Sequence, residues 1–564
     1  MSQTTDLTSV PAEVDVLVAG GGPSGLFLAA DLAARGISTV IVEPRLELDW
    51  LHPRAKTTNA RTMTHLRRLG LADELRRVAP LSAAYSDCVM FATSLVGHEL
   101  TRFANAFQLQ TGRYELQPEC GQQVAQPVVE QVLRTAVQDS DLAQLVLGAS
   151  FDKAVDLGDA VEVIIVDAAG AERTIRARYL VGADGVSSTV RKGLGVRLEG
   201  SSAAKSNLGV LFRSVGLADR VRLDPAVQYW LVGETYAGMV GAMDLNGLWW
   251  AIIQGYNPTA PHFADVPTAD IVRSLIGTEV DVEVLAEDPW TARMLLSPTY
   301  RVGNTFLVGD AAHANPPWGG HGFNTCIGDA ANLAWKLAAA IHGWAGPRLL
   351  DSYQAERRPV ARRTIDEAEA NGTVLADDLM DPALDLDGPT GDQARARAAE
   401  LLQVKESEFH SLGLVLGYDY ADSPLTTGDG TAAPPRDPIA YRPSAVPGCL
   451  LPHVWLDEQT SVYDVLGPGL TVLVEAAADP DLPELLSAVD AVGEVPVVVR
   501  PIRAETGSLR WQSPVVLVRP DQHVAWRGSD PLELVAALRR AAGEESPSPV
   551  EASPAPVAAG QGVS

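Results

Sequence analysis

The sequence predicts an α/β plus α+β protein: a largely parallel-sheet domain interleaved with an antiparallel-sheet domain, followed by a small C-terminal α/β domain. Three observations predict it. The apolar run Val14–Val18 passes through a glycine turn into the helical pattern Leu26–Arg35 and then the apolar run Ser38–Glu43, which is a βαβ unit. Residues 206–255 hold β-rich segments carrying aromatic side chains, such as Val227–Val232 and Leu248–Ile253. Beyond 448, Leu470–Val474, Val495–Val499 and Pro514–Val518 read as buried-type strands, with Pro531–Ala541 as a helix. At 564 residues the chain exceeds what one core organises, so two or three domains are expected.

The first turn reads Gly20-Gly21-Gly22-Pro23-Ser24-Gly25, a GxGxxG loop between strand and helix, which makes the start Rossmann-type. Gly20 permits the tight turn and Gly22 lets a pyrophosphate approach the backbone. Gly25 lets the helix pack closely on the strand, and free N–H groups of the helix start, beyond Pro23, face the phosphates. Glu43 closes the second strand 23 positions after Gly20, where its carboxylate can accept hydrogen bonds from the adenosine ribose. Arg54 is the candidate positive partner, ahead of a helix-like stretch Thr57–Leu69.

The segment Ala154–Tyr179 reads as short strands with a turn at Ala168–Ala171, leading to Tyr179-Leu180-Val181-Gly182-Ala183-Asp184-Gly185. The aromatic sheet that follows is a suitable wall for an apolar substrate. Strand Thr305–Val308 then ends at Gly309-Asp310, where a carboxylate can accept a hydrogen bond from a ribityl hydroxyl. This fits a flavin and not a nicotinamide dinucleotide. Pro316, Pro317, Gly319, Gly320 and Gly322 form a rigid backbone with little side-chain bulk, against which flat rings can lie. A helix expected to begin near Thr325 directs its positive dipole end at the flavin.

The remaining segments set boundaries and exclusions. Ser352–Ala370 and Ala394–Ser411 are helical in pattern, Ala376–Asp392 is acidic and loop-like, and Thr426–Pro447 reads as a linker. The tail 546–564 is too poor in apolar surface to order itself. The net charge of −27 disfavours nucleic acid and anionic lipid surfaces as partners. No apolar run is long enough to cross a membrane and Met1–Thr8 lacks a secretory pattern, so the expected address is the cytoplasm. Cys88, Cys120, Cys326 and Cys449 are widely spaced, with neither a metal motif nor a disulfide framework, so no metal is expected.

Over residues 13–370 the chain resembles the single-component FAD-dependent aromatic hydroxylases of the para-hydroxybenzoate hydroxylase type. The resemblance rests on Gly20–Gly25 with Glu43, on Ala183-Asp184-Gly185 with Ser187 and Arg191, and on Gly309-Asp310 through Phe323 and Asn324. Arg54 and Gln126 also stand where that family places flavin contacts, and Asp184 where its motif serves both FAD and NAD(P)H. The resemblance implies FAD, reduced transiently by NAD(P)H with NADPH favoured, then reaction with O2 to a C4a-hydroperoxyflavin that hydroxylates an aromatic ring. The flavin carries the chemistry, so no catalytic side chain is expected.

His410–Gly413, Leu416–Tyr418 and Val518–Asp521 with Val524–Arg527 look like the members that tailor aromatic polyketides and carry a C-terminal thioredoxin-like domain. That domain has no CxxC here, so packing or assembly is its expected role. The implied substrate is a phenolic polycyclic metabolite. A small catabolic phenol, a Baeyer–Villiger oxidation, or a flavin-bound binding protein without turnover are the alternatives. Candidate substrate contacts are Tyr229, Met239, Trp249, Trp318 and His321, and Cys326 stands where the family often has glycine. The expected domains are 1–185 (FAD-binding, with inserted substrate-side segments), 186–300 (substrate sheet), 301–425 (second FAD-binding segment and helices), 426–447 (linker) and 448–545 (thioredoxin-like), in a monomer or homodimer.

Overall fold

The computed structural model describes residues 4–372, 374, 376–476, 482–503 and 511–544; the expected disordered tail lies outside them. Five parallel strands order as Thr305–Leu307, Glu172–Gly182, Glu13–Ala19, Thr39–Glu43 and Ala143–Leu147. Val16, Leu17 and Val18 are fully buried in one core shared with the helices Pro23–Ala34 and His321–His342 and with the strand Val161–Asp167, which is why that stretch of Glu13–Ala19 is continuously apolar. Pro23 starts the helix Pro23–Ala34, earlier than the apolar periodicity suggested, since proline at a first helical position forfeits no bonded N–H. This helix packs against the long helix His321–His342.

The second sheet orders as His313–Ala314, Glu283–Leu296, Glu199–Arg213, Leu248–Ile253, Ala237–Ala242, Gln228–Val232, Val89–Ala92 and Glu99–Phe103. It therefore recruits strands from both sides of the 186–300 stretch. The helix Thr268–Ile276 buries Ile271, Val272, Leu275 and Ile276 on one face of it. The opposite face looks toward the parallel-sheet domain.

Two other boundaries differ from expectation. The long helix begins at His321 rather than Thr325, because Gly320 in the left-handed region (φ 65°) turns the chain directly into it. In the predicted helix Thr57–Leu69, Thr57–Thr58 instead pairs with Gln122–Gln123, and the helix spans Ala60–Arg68 behind an Asn59 cap. Residues 426–447 hold no helix or strand, yet they are packed. Thr427 N–H donates to Ala525 O (2.9 Å) and Leu414 N–H to Pro438 O (2.9 Å).

The C-terminal sheet is ordered Val497–Ile502, Leu470–Glu475, Val515–Val518, Val524–Gly528, with the first pair parallel and the others antiparallel. Helices Leu482–Asp490 and Pro531–Ala541 complete a thioredoxin-like topology. It docks through buried charge. Arg519 donates twice to Glu356 (2.6 and 2.7 Å) and also pairs with Asp521 (2.6 Å), while Lys336 reaches Glu356 at 2.6 Å. Asn332 and Trp335 of the long helix donate to Asp521 as well (3.0 and 3.2 Å). Burial of these ions is tolerable because each is paired and hydrogen-bonded. Among the described residues, no helix is long and apolar enough to cross a membrane.

Candidate functional site

The parallel strands deliver their loops to one cavity of about 770 Å³ that also touches the antiparallel sheet. At the glycine loop, Gly20 adopts φ 110°, and a Cβ there would collide with Ala183 O, so the first turn and the 183–185 turn abut. Gly25 has no side chain because a Cβ would collide with Gly20 O and sit 3.1 Å from Val18 Cγ1. Gly22 differs. No protein atom lies within 4 Å of its missing Cβ, so the space left free belongs to the cavity. Gly22 also caps the helix Pro23–Ala34 with no side-chain hydrogen bond, leaving the N–H groups of the first turn for an anion.

Glu43 is buried at the cavity wall. Gly21 N–H donates to its Oε2 (2.8 Å), and Arg45 donates to Oε1 from its backbone (2.9 Å) and Nε (2.7 Å). The carboxylate is thereby held in one orientation, with an acceptor site left on Oε2 for a hydroxyl donor. Arg54, exposed, and Gln126, whose Nε2 donates to Glu130 (2.7 Å), line the same end. Asp184 lines it too, but its carboxylate chiefly anchors a turn. Thr189 and Val190 N–H donate to Oδ2 (2.7 and 3.0 Å) and Ser188 Oγ to Oδ1. Arg191 then ties this turn to the second motif by donating to Ala311 O (2.9 Å).

The second motif faces the first. Asp310, Pro317, Trp318, Gly319, Gly320, Gly322 and Phe323 all line the cavity. A Cβ on Gly320 or Gly322 would meet protein only at 3.7 and 3.5 Å, so these glycines too leave room for a ligand. The long helix has no side-chain cap, and its N-terminus opens at this wall. Cys326 Sγ donates to Asp310 Oδ1 (3.5 Å), and burial pushes this thiol well above its usual range, so it stays protonated and unreactive. Behind the motif, Asp329 is gripped by His313 (2.7 Å) and Arg357 (2.8 Å), all three buried.

Asn324 is outside the cavity lining, in contrast to its expected place. Its Oδ1 accepts from Asn59 N–H (2.9 Å), and its amide donates to Thr57 O (3.1 Å) and Gly320 O (2.8 Å), so it clamps the loop instead. His321 is likewise outside. Its ring lies where a Gly319 side chain would go, and burial lowers its pKa to about 4, leaving a neutral support for the turn.

The substrate candidates divide by strand parity. Met239 and Trp318 line the cavity, but Tyr229 and Trp249 do not. Both are packed on the opposite face with Ile271 and Leu275, and Tyr229 Oη donates to Asp224 O (2.9 Å). Successive residues of a strand face opposite ways, so the neighbours Gln228, Trp230, Trp250 and Ile252 reach the cavity instead. Phe107, Lys56 and Glu408 complete this end. Glu408 bonds Lys405 (2.9 Å) and accepts from Gly319 N–H (3.2 Å), and burial raises its pKa. Once the face that meets the cavity is known, parity assigns Trp230 and Trp250 to it. Nothing local marks Glu408, which comes from a helix 89 positions past Gly319.

Two uncapped helix N-termini, three glycines open to one cavity, and carboxylates at both ends are the chemistry that FAD requires of a site. The comparisons agree. Residues 13–368 match an FAD binding domain family, and residues 444–544 match the aromatic-ring hydroxylase C-terminal family. The chain is 32% identical over 555 residues to a 4-methyl-5-nitrocatechol 5-monooxygenase of Burkholderia sp, covering 92% of this chain and 94% of that protein. It is 33% identical over 462 residues to the aklavinone 12-hydroxylase DnrF of Streptomyces peucetius, covering 79% and 87%. Among solved structures, the rebeccamycin biosynthetic enzyme RebC with reduced flavin superposes with a TM-score of 0.85 at 33% identity, over 95% of this chain and all of that one. A ternary complex of aklavinone-11 hydroxylase with FAD and aklavinone superposes at 0.80 and 26%, with the same coverage. With cavity, fold and relatives in agreement, this chain belongs to the FAD-dependent aromatic-ring hydroxylases, which are flavoprotein monooxygenases.

Proposed function

We propose that this protein hydroxylates a phenolic polycyclic, polyketide-type metabolite, using NAD(P)H as electron donor and O2 as oxidant. The overall change replaces a ring C–H by C–OH. NAD(P)H and a proton supply the two electrons and two hydrogens that carry the second oxygen atom away as water. The observation that supports this reading is that a flavin cradle and an aromatic-walled chamber are one continuous cavity. Bound FAD supplies the redox chemistry, taking electrons from the nicotinamide and activating O2.

The chain supplies placement. The helix start at Gly22 and the Glu43 carboxylate hold the adenosine and phosphate end, while the backbone at Gly319, Gly320 and Gly322 offers the ring system a floor with little side-chain bulk. The N-terminus of His321–His342 adds a positive dipole end that favours negative charge on the ring edge nearest it. Trp230, Trp250, Met239, Ile252, Phe107 and Trp318 enclose a planar substrate and exclude water from the reacting atoms.

The test uses FAD-loaded protein, NADPH or NADH, labelled O2 and a panel of hydroxyanthraquinones and monocyclic phenols, read by mass spectrometry. The expected result is NAD(P)H oxidation stimulated by a polycyclic ring and one labelled oxygen in a ring-hydroxylated product. Lactone formation, a preference for monocyclic phenols, or NAD(P)H oxidation indifferent to any ring would overturn the proposal.

A further inference from the structure

Lys56 is a cation at the substrate end of the cavity with no acid to answer it. Its side chain is half-buried, and the ammonium lies 4.6 Å over the ring of Trp250, on the cavity face of the antiparallel sheet. Its protein hydrogen bond is one donation to Arg54 O (3.2 Å), so two of its three N–H donors have no protein acceptor among the described residues. The other acids of the cavity are engaged elsewhere. Glu43 holds Gly21 and Arg45, Glu130 holds Gln126, Asp49 holds His52, Asp184 holds the turn at Thr189, Asp310 accepts from Cys326, and Glu408 holds Lys405.

The backbone under Lys56 is fixed. Val124 N–H donates to Lys56 O (2.9 Å) and Gln126 N–H to Ala55 O (2.8 Å), so the side chain leaves a backbone pinned just ahead of the Thr57–Thr58 strand. A half-buried charge without a counter-ion gives up part of its hydration, and a ligand anion is a partner that offsets that loss. Burial alone lowers its pKa to about 8, the sign of an ammonium that gains from such a partner. Phe91 stacks on Trp230 (5.1 Å) and Lys56 itself lies over Trp250, so the two indoles form an apolar wall behind the ammonium.

Resting on the hydroxylase reading, we propose that Lys56 is the substrate-binding cation that receives an ionised oxygen carried on the aromatic ring. The substrate class is thereby narrowed to polycyclic rings bearing an acidic hydroxyl. In this position Lys56 both orients the ring and keeps the hydroxyl in its anionic, electron-donating form, which raises the ring's electron density toward an electrophilic oxygen.

The test uses FAD-loaded protein and 1,2-dihydroxyanthraquinone, whose visible spectrum reports its ionisation, with anthraquinone as the neutral control. In the wild type, the bound hydroxyanthraquinone is expected to ionise about one pH unit or more below its free value. Lys56→Met should abolish that shift and cut the preference over anthraquinone by about tenfold or more, while Lys56→Arg retains both. Lys56→Gln serves as the second neutral variant should the Met variant fold poorly.

An unchanged shift in the neutral variants, equal losses for both ligands, release of FAD by Lys56→Met, or no wild-type preference for the hydroxylated ring would each overturn the inference. The hydroxylase reading fails separately. In that case the Lys56-dependent shift persists while no ring incorporates labelled oxygen.

Discussion

Replacing Gly22 with alanine separates ligand space from protein space. Gly22 adopts φ −77° and ψ −177°, extended backbone that alanine accepts without strain, and its Cβ would meet no protein atom within 4 Å. The FAD-free fold should therefore keep its stability, or gain up to about 1 kcal/mol from a less flexible unfolded chain. The methyl enters the cavity beside the helix start proposed to hold the FAD pyrophosphate. Pushing the phosphates off one charge-assisted hydrogen bond costs about 1.5 to 3 kcal/mol, or roughly 10- to 150-fold in FAD affinity.

Gly25→Ala is the opposite case. Its Cβ would collide with Gly20 O and sit 3.1 Å from Val18 Cγ1, so helix and strand must part. That overpacking costs the fold itself about 1 to 3 kcal/mol. Thermal unfolding of FAD-free protein and FAD titration by quenching of flavin fluorescence read the two effects apart. The reasoning is refuted if Gly22→Ala binds FAD within about twofold of wild type, or if it lowers FAD-free stability as much as Gly25→Ala does.

Other outcomes follow from the same structure. Arg519→Met leaves Glu356 and Asp521 buried with fewer partners, and it should cost about 3 to 5 kcal/mol in denaturant unfolding and expose the C-terminal domain to proteolysis; an unchanged midpoint would count against the docking role. Trp250→Phe should weaken binding of a polycyclic ring, whereas Trp249→Phe should change stability alone, so equal effects on ring affinity would contradict the assigned faces.

The His313–Asp329 pair makes stability depend on pH in a stated direction. Although burial opposes it, the Asp329 carboxylate raises the folded-state pKa of His313 above 6.5. Its contribution is therefore full below about pH 6.5 and is lost as pH rises through the raised value. Asp329, lowered from 3.8 by His313 and Arg357 against its own desolvation, adds stability above that value and loses it in acid. His313→Asn should flatten the alkaline fall in unfolding free energy, and parallel curves for both proteins would refute the assignment.

Much of the cofactor end was legible because its chemistry is local. Gly20 to Gly25 and Glu43 fall within one βαβ unit, and each glycine has a local setting: the Ala183 turn at Gly20, the helix–strand contact at Gly25, the open cavity at Gly22. The Asp310–Phe323 wall was legible for the same reason. Asn324 shows where local reading stops, since its side chain was claimed by Asn59 and Thr57 from some 265 positions away.

The chain's own order of residues thus decided that a strand–glycine–helix unit and a second glycine wall exist, and that aromatic strands lie between them. It could not decide which face of those strands meets the ligand. Both faces of Gln228–Val232 and Leu248–Ile253 are buried, one against the helix Thr268–Ile276 and one against the cavity, so alternation alone assigns no inside. Packing of that helix settled the matter, turning Tyr229 and Trp249 into core and Trp230 and Trp250 into wall. The same assembly brought Lys56 and Glu408, 352 positions apart, to one chamber. Such a meeting depends on how separate elements stack, and no short-range pattern encodes it.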